Sequence, residues 1–445
     1  MSFPTYPSYQ DSGVEWLGEV PSHWNPTRLK FHVHLNPSKS EVSALDPNTE
    51  VSFVPMEAVS ERGELSLNRT RPISEVLTGY TYFRDGDVSI AKITPCFENG
   101  KGAIMCNLAG GVGFGTTELI VARSRPDRTT PEFLDWLFRS PAFRTRGEAA
   151  MYGAGGQKRV PDDFVRDFIS PGAPLAEQIA IAAFLGRETA KIDALIEEQR
   201  RLIALLKEKR QAVISHAVTE GLDPDAPTKK SDDPWLGRAP AHWSILPLAS
   251  LLLEKKNLVG TNSASSSLLS LTLRGIILRD INSGDGKYPA SFDTYKEVKS
   301  GNLVFCLFDM DETPRTVGLS NYNGMITGAY DVFQPKSEIV GDFLFYRFLM
   351  HDFSKSLKPY YTGLRKVIRP STFRSIRVAI PPTPEIEKIV DYLRKNLSSL
   401  DRLTDLASSS MSILKERRAA LISAAVTGKI DVRGVAIAEQ ERDAA

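Results

Sequence analysis

The 445-residue sequence is poor in cysteine and carries almost no net charge. Its three cysteines, Cys96, Cys106 and Cys306, form no CxxC pair and no metal-ligand spacing. A sparse, odd number of cysteines is typical of the reducing cytoplasm, which is where we expect the protein to act. The formal net charge is +1, so any affinity for a polyanion must come from local patches or from a partner.

The sequence also lacks long apolar runs. None approaches the roughly 18 residues that a membrane-spanning helix needs. Residues 1–6 have neither the basic region nor the apolar region of a signal peptide. We therefore expect no membrane span and no signal peptide.

Catalytic and metal-binding motifs are missing as well. There is no GxxxxGK[ST] phosphate-binding loop, and the glycine-rich residues 110–115 lack the GxGxxG spacing and are interpreted as a flexible turn. His32 and His34 alternate along a predicted strand without an acidic or cysteine partner nearby, which favours surface histidines over metal ligands. We expect this chain to bind no metal or cofactor and to catalyse no reaction.

What the sequence does contain is an internal repeat. Trp16-Leu17-Gly18, Pro21 and His23-Trp24 recur with the same spacing at residues 235–243, and the Leu-Lys-Glu-Lys-Arg segment at 206–210 recurs as Leu-Lys-Glu-Arg-Arg at 414–418. Each half is therefore a globular lobe followed by a long helix. Trp24 and its repeat Trp243 are predicted to be core aromatics at the base of each lobe.

Both lobes are predicted to be mixed α and β, an α/β (mixed α+β) fold. β-rich runs predict strands at 31–35, 51–54, 88–90 and 118–122, and a helix is predicted at 131–138 with proline in its first turn. The predicted domains, in chain order, are a first lobe at 1–173, a central helix at 174–219, a linker at 220–232, a second lobe at 233–382, a distal helix at 383–428 and a tail at 429–445.

The two helical segments carry heptad patterns. The predicted apolar positions are Leu185, Ile192, Leu195, Leu202, Leu206 and Val213 in the central helix, and Ile389, Leu393, Leu400, Leu403 and Leu414 in the distal helix. One such helix cannot bury its stripe alone, so we predict that the two pair as an antiparallel coiled coil. About 45 residues make a rod near 67 Å long. Plain oligomerisation is the other common use of such a helix, but the repeat favours a spacer between two similar lobes.

A basic region is the strongest chemical signal. Residues 353–384 contain no Asp or Glu, and their charge is carried by Lys355, Lys358, Arg365, Lys366, Arg369, Arg374 and Arg377. The first lobe has a sparser set, namely Arg144, Arg146, Lys158, Arg159 and Arg166. Phosphates are the natural partner of such patches, although a solvated charged face is the alternative.

The basic residues include two corresponding loops. Residues 153–159 (Gly-Ala-Gly-Gly-Gln-Lys-Arg) match residues 361–366 (Tyr-Thr-Gly-Leu-Arg-Lys). Glycine lets a backbone approach DNA closely, while Gln, Lys and Arg read base edges or hold phosphate. The predicted DNA-binding residues are Lys92, Lys101, Lys158, Arg159, Tyr361, Arg365 and Lys366.

The whole pattern resembles the specificity (S) subunit of type I restriction-modification systems. The similar residues are the Trp-Leu-Gly-x-x-Pro-x-His-Trp motif at 16–24, its second copy from Trp235, the Pro-Leu-Ala-Glu-Gln-Ile opening of the central helix at 174–179, and the Leu-Lys-Glu-Arg-Arg segment with the Ala-Val-Thr-Gly-Lys-Ile-Asp at 425–431. The distal helix departs from the pattern, because Thr383-Pro384-Glu385-Ile386-Glu387 stands where a Glu-Gln opening is expected.

The resemblance implies that each lobe is a target recognition domain reading one half of a split double-stranded DNA sequence, with two antiparallel helices setting the gap. It implies docking to two methyltransferase (M) subunits and, through them, to restriction (R) subunits. S-adenosylmethionine, ATP and Mg²⁺ would be bound by those partners. Two alternatives remain open: a helical scaffold without sequence readout of its own, and a fused restriction enzyme.

Overall fold

The computed structural model describes residues 3–154, 156–231, 233, 235–280, 289, 291–313 and 315–434. The chain divides into two compact units, residues 1–199 with 409–445 and residues 200–408. We call these the first unit and the second unit. Most of the predicted tail, from residue 435 onward, lies outside the described residues.

The first unit contains two four-stranded sheets. Their strand orders are β6-β5-β10-β7 and β4-β11-β8-β9, and β5 with β10 is a parallel pair. Two-stranded pairs β1-β2 and β12-β3 complete the described strands. The bounds are β1 Tyr9–Asp11, β2 Glu19–Pro21, β3 Thr27–Arg28, β4 Val33–Leu35, β5 Glu50–Val54, β6 Thr70–Pro72, β7 Thr81–Arg84, β8 Val88–Ala91, β9 Gly102–Ile104, β10 Val112–Gly115, β11 Leu119–Ser124 and β12 Ile169–Ser170.

The described part of the first lobe has four helices, of which α2 packs on the sheet that contains β11. Their bounds are α1 Ile73–Val76, α2 Pro131–Arg139, α3 Pro141–Ala149 and α4 Asp162–Asp167. Thr130 caps α2 by accepting a hydrogen bond from the Phe133 amide at 3.2 Å, and Pro131 occupies the first turn. The apolar face of α2 is buried with Trp24 in the main core of this unit. Both the predicted helix and the core role of Trp24 are confirmed.

The second unit also contains a four-stranded sheet, here accompanied by several two-stranded pairs. Its four-stranded sheet has the order β16-β23-β20-β21, joined by the pairs β13-β14, β15-β24, β17-β18 and β19-β22. The strands are β13 Thr228–Lys230, β14 Arg238–Pro240, β15 Ser244–Pro247, β16 Leu252–Lys255, β17 Leu269–Thr272, β18 Gly275–Leu278, β19 Lys296–Val298, β20 Leu303–Phe305, β21 Val317–Leu319, β22 Gly324–Ile326, β23 Asp331–Pro335 and β24 Arg377–Ile380. The lobe helices are α6 Glu338–Ser354 and α7 Pro370–Ser375.

The two long helices are α5, Leu175–Thr219, and α8, Thr383–Val426. Each contributes one segment to each unit, because the unit boundaries fall at residues 199/200 and 408/409. With these helices and the mixed sheets, the predicted fold class is confirmed.

Within the first unit the two helix segments run antiparallel. Trp24 hydrogen-bonds to Glu177 near the start of α5, and it also lies against Gly428, just past the end of α8. Further along the pair, Arg418 of α8 forms an ion pair with Asp193 of α5 at 3.0 Å.

The second unit shows the same direction independently. Trp243 hydrogen-bonds to Glu385 near the start of α8 and lies against Gly221, just past the end of α5. Arg210 of α5 then pairs with Asp401 of α8 at 3.1 Å. The predicted antiparallel pairing therefore holds within each unit.

The predicted heptad seam is only partly correct. Leu185, Ile192 and Leu206 are buried, but Leu195 and Leu202 expose 46% and 42% of their surface. In α8, Ile389, Leu393 and Leu400 are buried, whereas Leu403 is exposed. In the first unit the second buried position falls four residues after Leu185 and Ile192, at Thr189 and Ile196. The helix also packs on its lobe, where the Phe3 and Phe184 rings lie 5.3 Å apart, and this contact widens the buried stripe beyond a simple seam.

Two local predictions are wrong. Residues 110–115 are not simply a turn, because Val112–Gly115 forms β10 between β5 and β7. Gly113 and Gly115 are needed there, since a β-carbon would lie 2.4 Å from the Phe83 ring and 2.5 Å from the Val54 carbonyl, respectively. His32 is buried rather than at the surface. It hydrogen-bonds to Thr27 at 2.6 Å, and burial lowers its pKa.

Candidate nucleic-acid interface

A short hairpin of the first lobe is closed between Tyr152 and Arg159, and we call its described residues, 152–154 and 156–159, the first loop. Two hydrogen bonds close its ends: the Tyr152 amide donates to the Arg159 carbonyl (3.2 Å), and the Arg159 amide donates to the Tyr152 carbonyl (2.9 Å). The loop is fixed to the segment after β8, because the Val160 amide donates to the Lys92 carbonyl and the Thr94 amide to the Lys158 carbonyl. The structure therefore brings Lys92, Lys158 and Arg159 together, as a shared interface would require.

One of these three cations is already paired. The Arg159 guanidinium forms two close hydrogen bonds with the Glu118 carboxylate, at 2.9 Å from Nε and 2.8 Å from Nη2. This pair lowers the pKa of Glu118, and Lys92 adds to the same effect. Lys92 and Arg159 line a surface depression of about 340 Å³. Lys158 is exposed, and no ion-pair partner is found for it among the described residues.

Lys101 lies beside this site but is turned away from it. Its carbonyl accepts a hydrogen bond from the amide of Ala91, the residue before Lys92. Its ammonium group donates to the Met56 carbonyl at 3.2 Å. The side chain therefore ties β9 to the segment after β5.

The second lobe carries a matching hairpin at residues 362–367, which we call the second loop. Thr362 and Val367 exchange backbone hydrogen bonds of 2.9 and 3.0 Å. The loop is fixed to the segment after β20, because the Ile368 amide donates to the Leu307 carbonyl and the Asp309 amide to the Arg365 carbonyl. Each lobe thus presents a hairpin held against the chain that leaves a core strand.

The second loop also contains an arginine–carboxylate pair. Arg365 donates to Asp309 through Nε at 3.1 Å and through its terminal nitrogen at 2.5 Å, which lowers the pKa of Asp309. The same guanidinium lies over the Phe308 ring at 5.5 Å. Lys366 is exposed, with a left-handed backbone at φ 48°. Sequence reasoning missed both acidic partners, because Glu118 and Asp309 lie outside the loops and at different places in the two lobes.

Tyr361 precedes the second loop and is half-buried. Its hydroxyl is buried without a hydrogen-bond partner among the described residues, and burial raises its pKa to about 12. The ring packs against the main core of the second unit. Tyr361 therefore supports the base of the loop.

The basic region of the second lobe remains largely unpaired. Lys355 donates to the Thr313 carbonyl and Arg365 pairs with Asp309. In the part of the chain that the structure describes, the other five cations are exposed and form no ion pair: Lys358, Lys366, Arg369, Arg374 and Arg377. This surface retains a positive field that can attract phosphates.

The corresponding set in the first lobe is mostly structural. The Arg144 guanidinium donates to the carbonyls of Phe97 and Gly100, and burial lowers its pKa to about 9. Arg166 pairs with Asp163 and Asp167. The predicted surface patch is wrong for Arg144, because its helix turns this side chain inward. The number of basic residues in a sequence does not show which way each side chain points.

The repeated tryptophan motif has a structural explanation. Trp24 Nε1 donates to Glu177 at 3.0 Å, and His23 Nε2 lies 2.6 Å from the same carboxylate. In the second unit, Trp243 and His242 meet Glu385 at 3.0 and 2.7 Å. Each lobe is thereby fixed to the start of a long helix.

The described residues contain no group of three or more His, Cys, Asp or Glu side chains arranged to hold a metal ion. Over the same residues, no helix is both long enough and apolar enough to cross a membrane. The geometry offers backbone-anchored hairpins with cationic tips, an arrangement suited to binding a polyanion.

Taken together, the fold and the loops define a two-lobed protein in which each lobe carries a basic hairpin and is fixed to a long helix. In sequence, the chain is 42% identical to the EcoAI specificity subunit and 38% identical to the EcoEI specificity subunit, both type I restriction enzyme subunits of Escherichia coli. Each match covers 188 residues, 42% of this chain and 31% of the relative. The chain thus matches less than a third of the length of these curated relatives. No model of a known protein family matches.

Solved structures extend the likeness to nearly the whole chain. The HsdS subunit from Thermoanaerobacter tengcongensis matches with a TM-score of 0.54 and 18% identity, over 92% of this chain and 98% of that one. A chain from a structure of a type I R-M system, solved to explain complex assembly and conformational transition, matches with a TM-score of 0.64 and 17% identity, with the same coverage. At these identities the structures show a shared fold. The resemblance inferred from the sequence is confirmed: the curated homologues of this chain are type I restriction enzyme specificity subunits, and its structural neighbours include an HsdS subunit.

Proposed function

We propose that this chain is the DNA-recognition subunit of a type I restriction-modification system and reads a split double-stranded DNA target, one lobe per half-site. The observation that carries the proposal is the pair of basic hairpins, held by equivalent backbone hydrogen bonds in both lobes. A repeated, anchored and cationic loop suits two similar contacts with one polyanion. The sequence relatives, themselves named specificity subunits, support the same role.

Within this role, the loop cations contact DNA directly. Lys92, Lys158 and Arg159 would meet the first half-site, and Arg365 and Lys366 the second. Lys101 and Tyr361 would act at one remove, because Lys101 holds β9 and Tyr361 supports the loop base. The tips differ in sequence, Gln-Lys-Arg against Leu-Arg-Lys, so the two half-sites should differ as well.

The long helices are the proposed docking site for two methyltransferase subunits, through which restriction subunits join. Several apolar side chains on these helices are exposed: Leu195 and Ile413 in the first unit, and Leu202, Leu205 and Leu406 in the second. A helix that leaves such residues uncovered is suited to a further helical partner. S-adenosylmethionine, ATP and Mg²⁺ would be bound by those partners, and this chain would be a non-catalytic subunit acting in the cytoplasm.

The proposed division of labour follows the predicted domains. Residues 1–173 and 233–382 are the target recognition domains, while the helices at 174–219 and 383–428 set the gap between half-sites. Residues 220–232 link the two halves, and 429–445 form the tail.

Genome-wide methylation mapping tests the proposal. A host carrying this chain with its methyltransferase partner should show a bipartite methylated motif with a fixed gap, and deletion of this chain alone should abolish it. A scaffold without DNA readout predicts an assembled complex that binds all DNA sequences equally. A fused enzyme predicts that the purified chain methylates or cleaves DNA by itself. Either result would contradict the proposal.

A further inference from the structure

The tip of the second loop holds a leucine that touches almost nothing in the protein. Leu364 is 100% exposed, more than any other large apolar side chain among the described residues. A single exposed leucine is common on protein surfaces. This one is unusual in its position, because it caps a short hairpin within a surface rich in unpaired cations.

The tip is held firmly. The Thr362–Val367 backbone pair closes the hairpin, and the Thr362 hydroxyl adds a third hydrogen bond to the Val367 carbonyl at 2.9 Å. Behind the tip, the Asp309 amide and carboxylate hold the backbone and the side chain of Arg365, respectively. The leucine therefore projects from an ordered support rather than from a loose loop.

The surroundings of Leu364 favour a nucleic acid over a protein surface. The next two residues are Arg365 and Lys366, and no acidic residue occurs between 353 and 384. A protein interface usually buries several neighbouring apolar side chains, whereas the residues flanking this leucine are Gly363 and Arg365. The apolar surface of a nucleic acid is that of its stacked bases, and leucine is among the side chains that insert between adjacent bases.

We propose that Leu364 is an apolar wedge that inserts between adjacent base pairs of the half-site read by the second lobe. This inference rests on the proposed function. Lys366 and the other unpaired cations would hold the phosphates on either side, while the leucine partly unstacks one step. The energy lost in unstacking would depend on the step, so the wedge would add specificity without a hydrogen bond to a base.

The first loop provides an internal contrast. Gly153, Ala154 and Gly156 lie in its tip and carry no comparable side chain. We therefore expect unstacking in one half-site alone, the half-site read by the second lobe.

Fluorescence of 2-aminopurine, which increases when this base unstacks, tests the wedge. The probe is a set of duplexes carrying the motif found by methylation mapping, with 2-aminopurine at each position of the second half-site except the methylated base. The protein is the full chain assembled with its methyltransferase partner. The wild-type complex should raise the fluorescence at one step. Leu364→Ala should abolish the rise and weaken binding about 10-fold.

Two further variants make the result specific. Leu364→Met keeps an apolar side chain and should retain the rise, and Leu253→Ala removes another exposed leucine of this unit and should change nothing. Specific binding without a rise in the wild type, or a rise that Leu364→Ala retains, would overturn the wedge while leaving the proposed function standing. Loss of the methyltransferase partner from Leu364→Ala without DNA would also overturn it, by assigning Leu364 to a protein contact. Absence of sequence-specific binding by the wild-type complex would instead count against the proposed function itself.

Discussion

The two units fix lobe to helix with the same acid but with different neighbours. Glu177 and Glu385 each accept from a tryptophan and meet a histidine at closely similar distances. The residue that follows the acid differs in kind, being Gln178 in the first unit and Ile386 in the second. The departure of the distal helix from the Glu-Gln opening therefore leaves the contact of the acid intact.

Gln178 and Ile386, the residues that follow the two acids, have different surroundings. The Gln178 amide accepts from the Thr129 hydroxyl and the Thr130 amide, and donates to the carbonyls of Arg128 and Ala173. Ile386 is buried in the apolar core of the second unit. Each solution is self-consistent, since a buried amide needs partners and a buried isoleucine needs none. The acid makes the same contacts at both junctions, while its neighbour suits the lobe that surrounds it.

If the lobes are independent modules on a common junction, exchanging one should change half of the target. Residues 26–171 are replaced by the corresponding stretch of a relative with known specificity, which leaves the tryptophan motif and Glu177 in place. Methylation mapping should then find one new half-site, one old half-site and the original gap. Two changed half-sites, or none, would show that the units do not read DNA separately.

A helix insertion tests whether the two long helices set the gap between the half-sites. Four residues inserted after Ala194 lengthen α5 by about 6 Å. With about 3.4 Å per base pair, the methylated motif should keep both half-sites and gain a gap of about one to two base pairs. The extra turn is partly matched by the rotation of about 34–36° that each base pair adds.

The matched control places the same four residues in the linker at 220–232, where they lengthen the chain but not the helix. The control should keep the original gap. An Ala194 insertion that remains active on the original gap would leave the helices as a clamp without a measuring role.

The sequence predicted this architecture from features that repeat, and it failed where contacts come from elsewhere in the chain. The strand β11, the helix α2 and both long helices follow from an apolar run, a proline in the first turn and heptad patterns, respectively. The exposure of Leu195 and Leu202 could not be predicted, because the lobe side of α5 is defined only once the lobe is folded. The pairing of Arg159 with Glu118 and of Arg365 with Asp309 could not be predicted either, because Glu118 comes just before β11 and Asp309 follows β20, at non-equivalent places in the two lobes.

Swapping the residue after the junction acid should destabilise each unit separately. Gln178→Ile leaves four polar groups without their partner, and Ile386→Gln buries an amide in an apolar core. We expect a loss of about 2–4 kcal/mol in each case. Hydrogen exchange read by mass spectrometry should show faster exchange only in the peptides of the altered unit. Ile179→Ala and Glu387→Ala, at exposed neighbouring positions, serve as controls and should leave exchange unchanged. Faster exchange in both units would contradict their independence.

The smallest expected effect is a difference in salt dependence of DNA binding between variants of Arg365 and Lys366, the two cations of the second loop. Lys366 has no ion-pair partner in the described part of the chain, whereas Asp309 already neutralises part of the charge of Arg365. Lys366→Ala should therefore flatten the dependence of log affinity on log salt by about one unit, as expected for one lost phosphate contact. Arg365→Ala should flatten this dependence less if the guanidinium holds only phosphate. It should relax the preference at one base pair if the guanidinium reads a base.

Asp309→Asn removes the carboxylate that competes with DNA for Arg365, so the affinity for DNA should rise and its salt dependence should steepen. Arg159→Ala and Glu118→Gln supply the same test in the first loop. Equal slopes for the wild type and all these variants would remove both loops from the DNA interface.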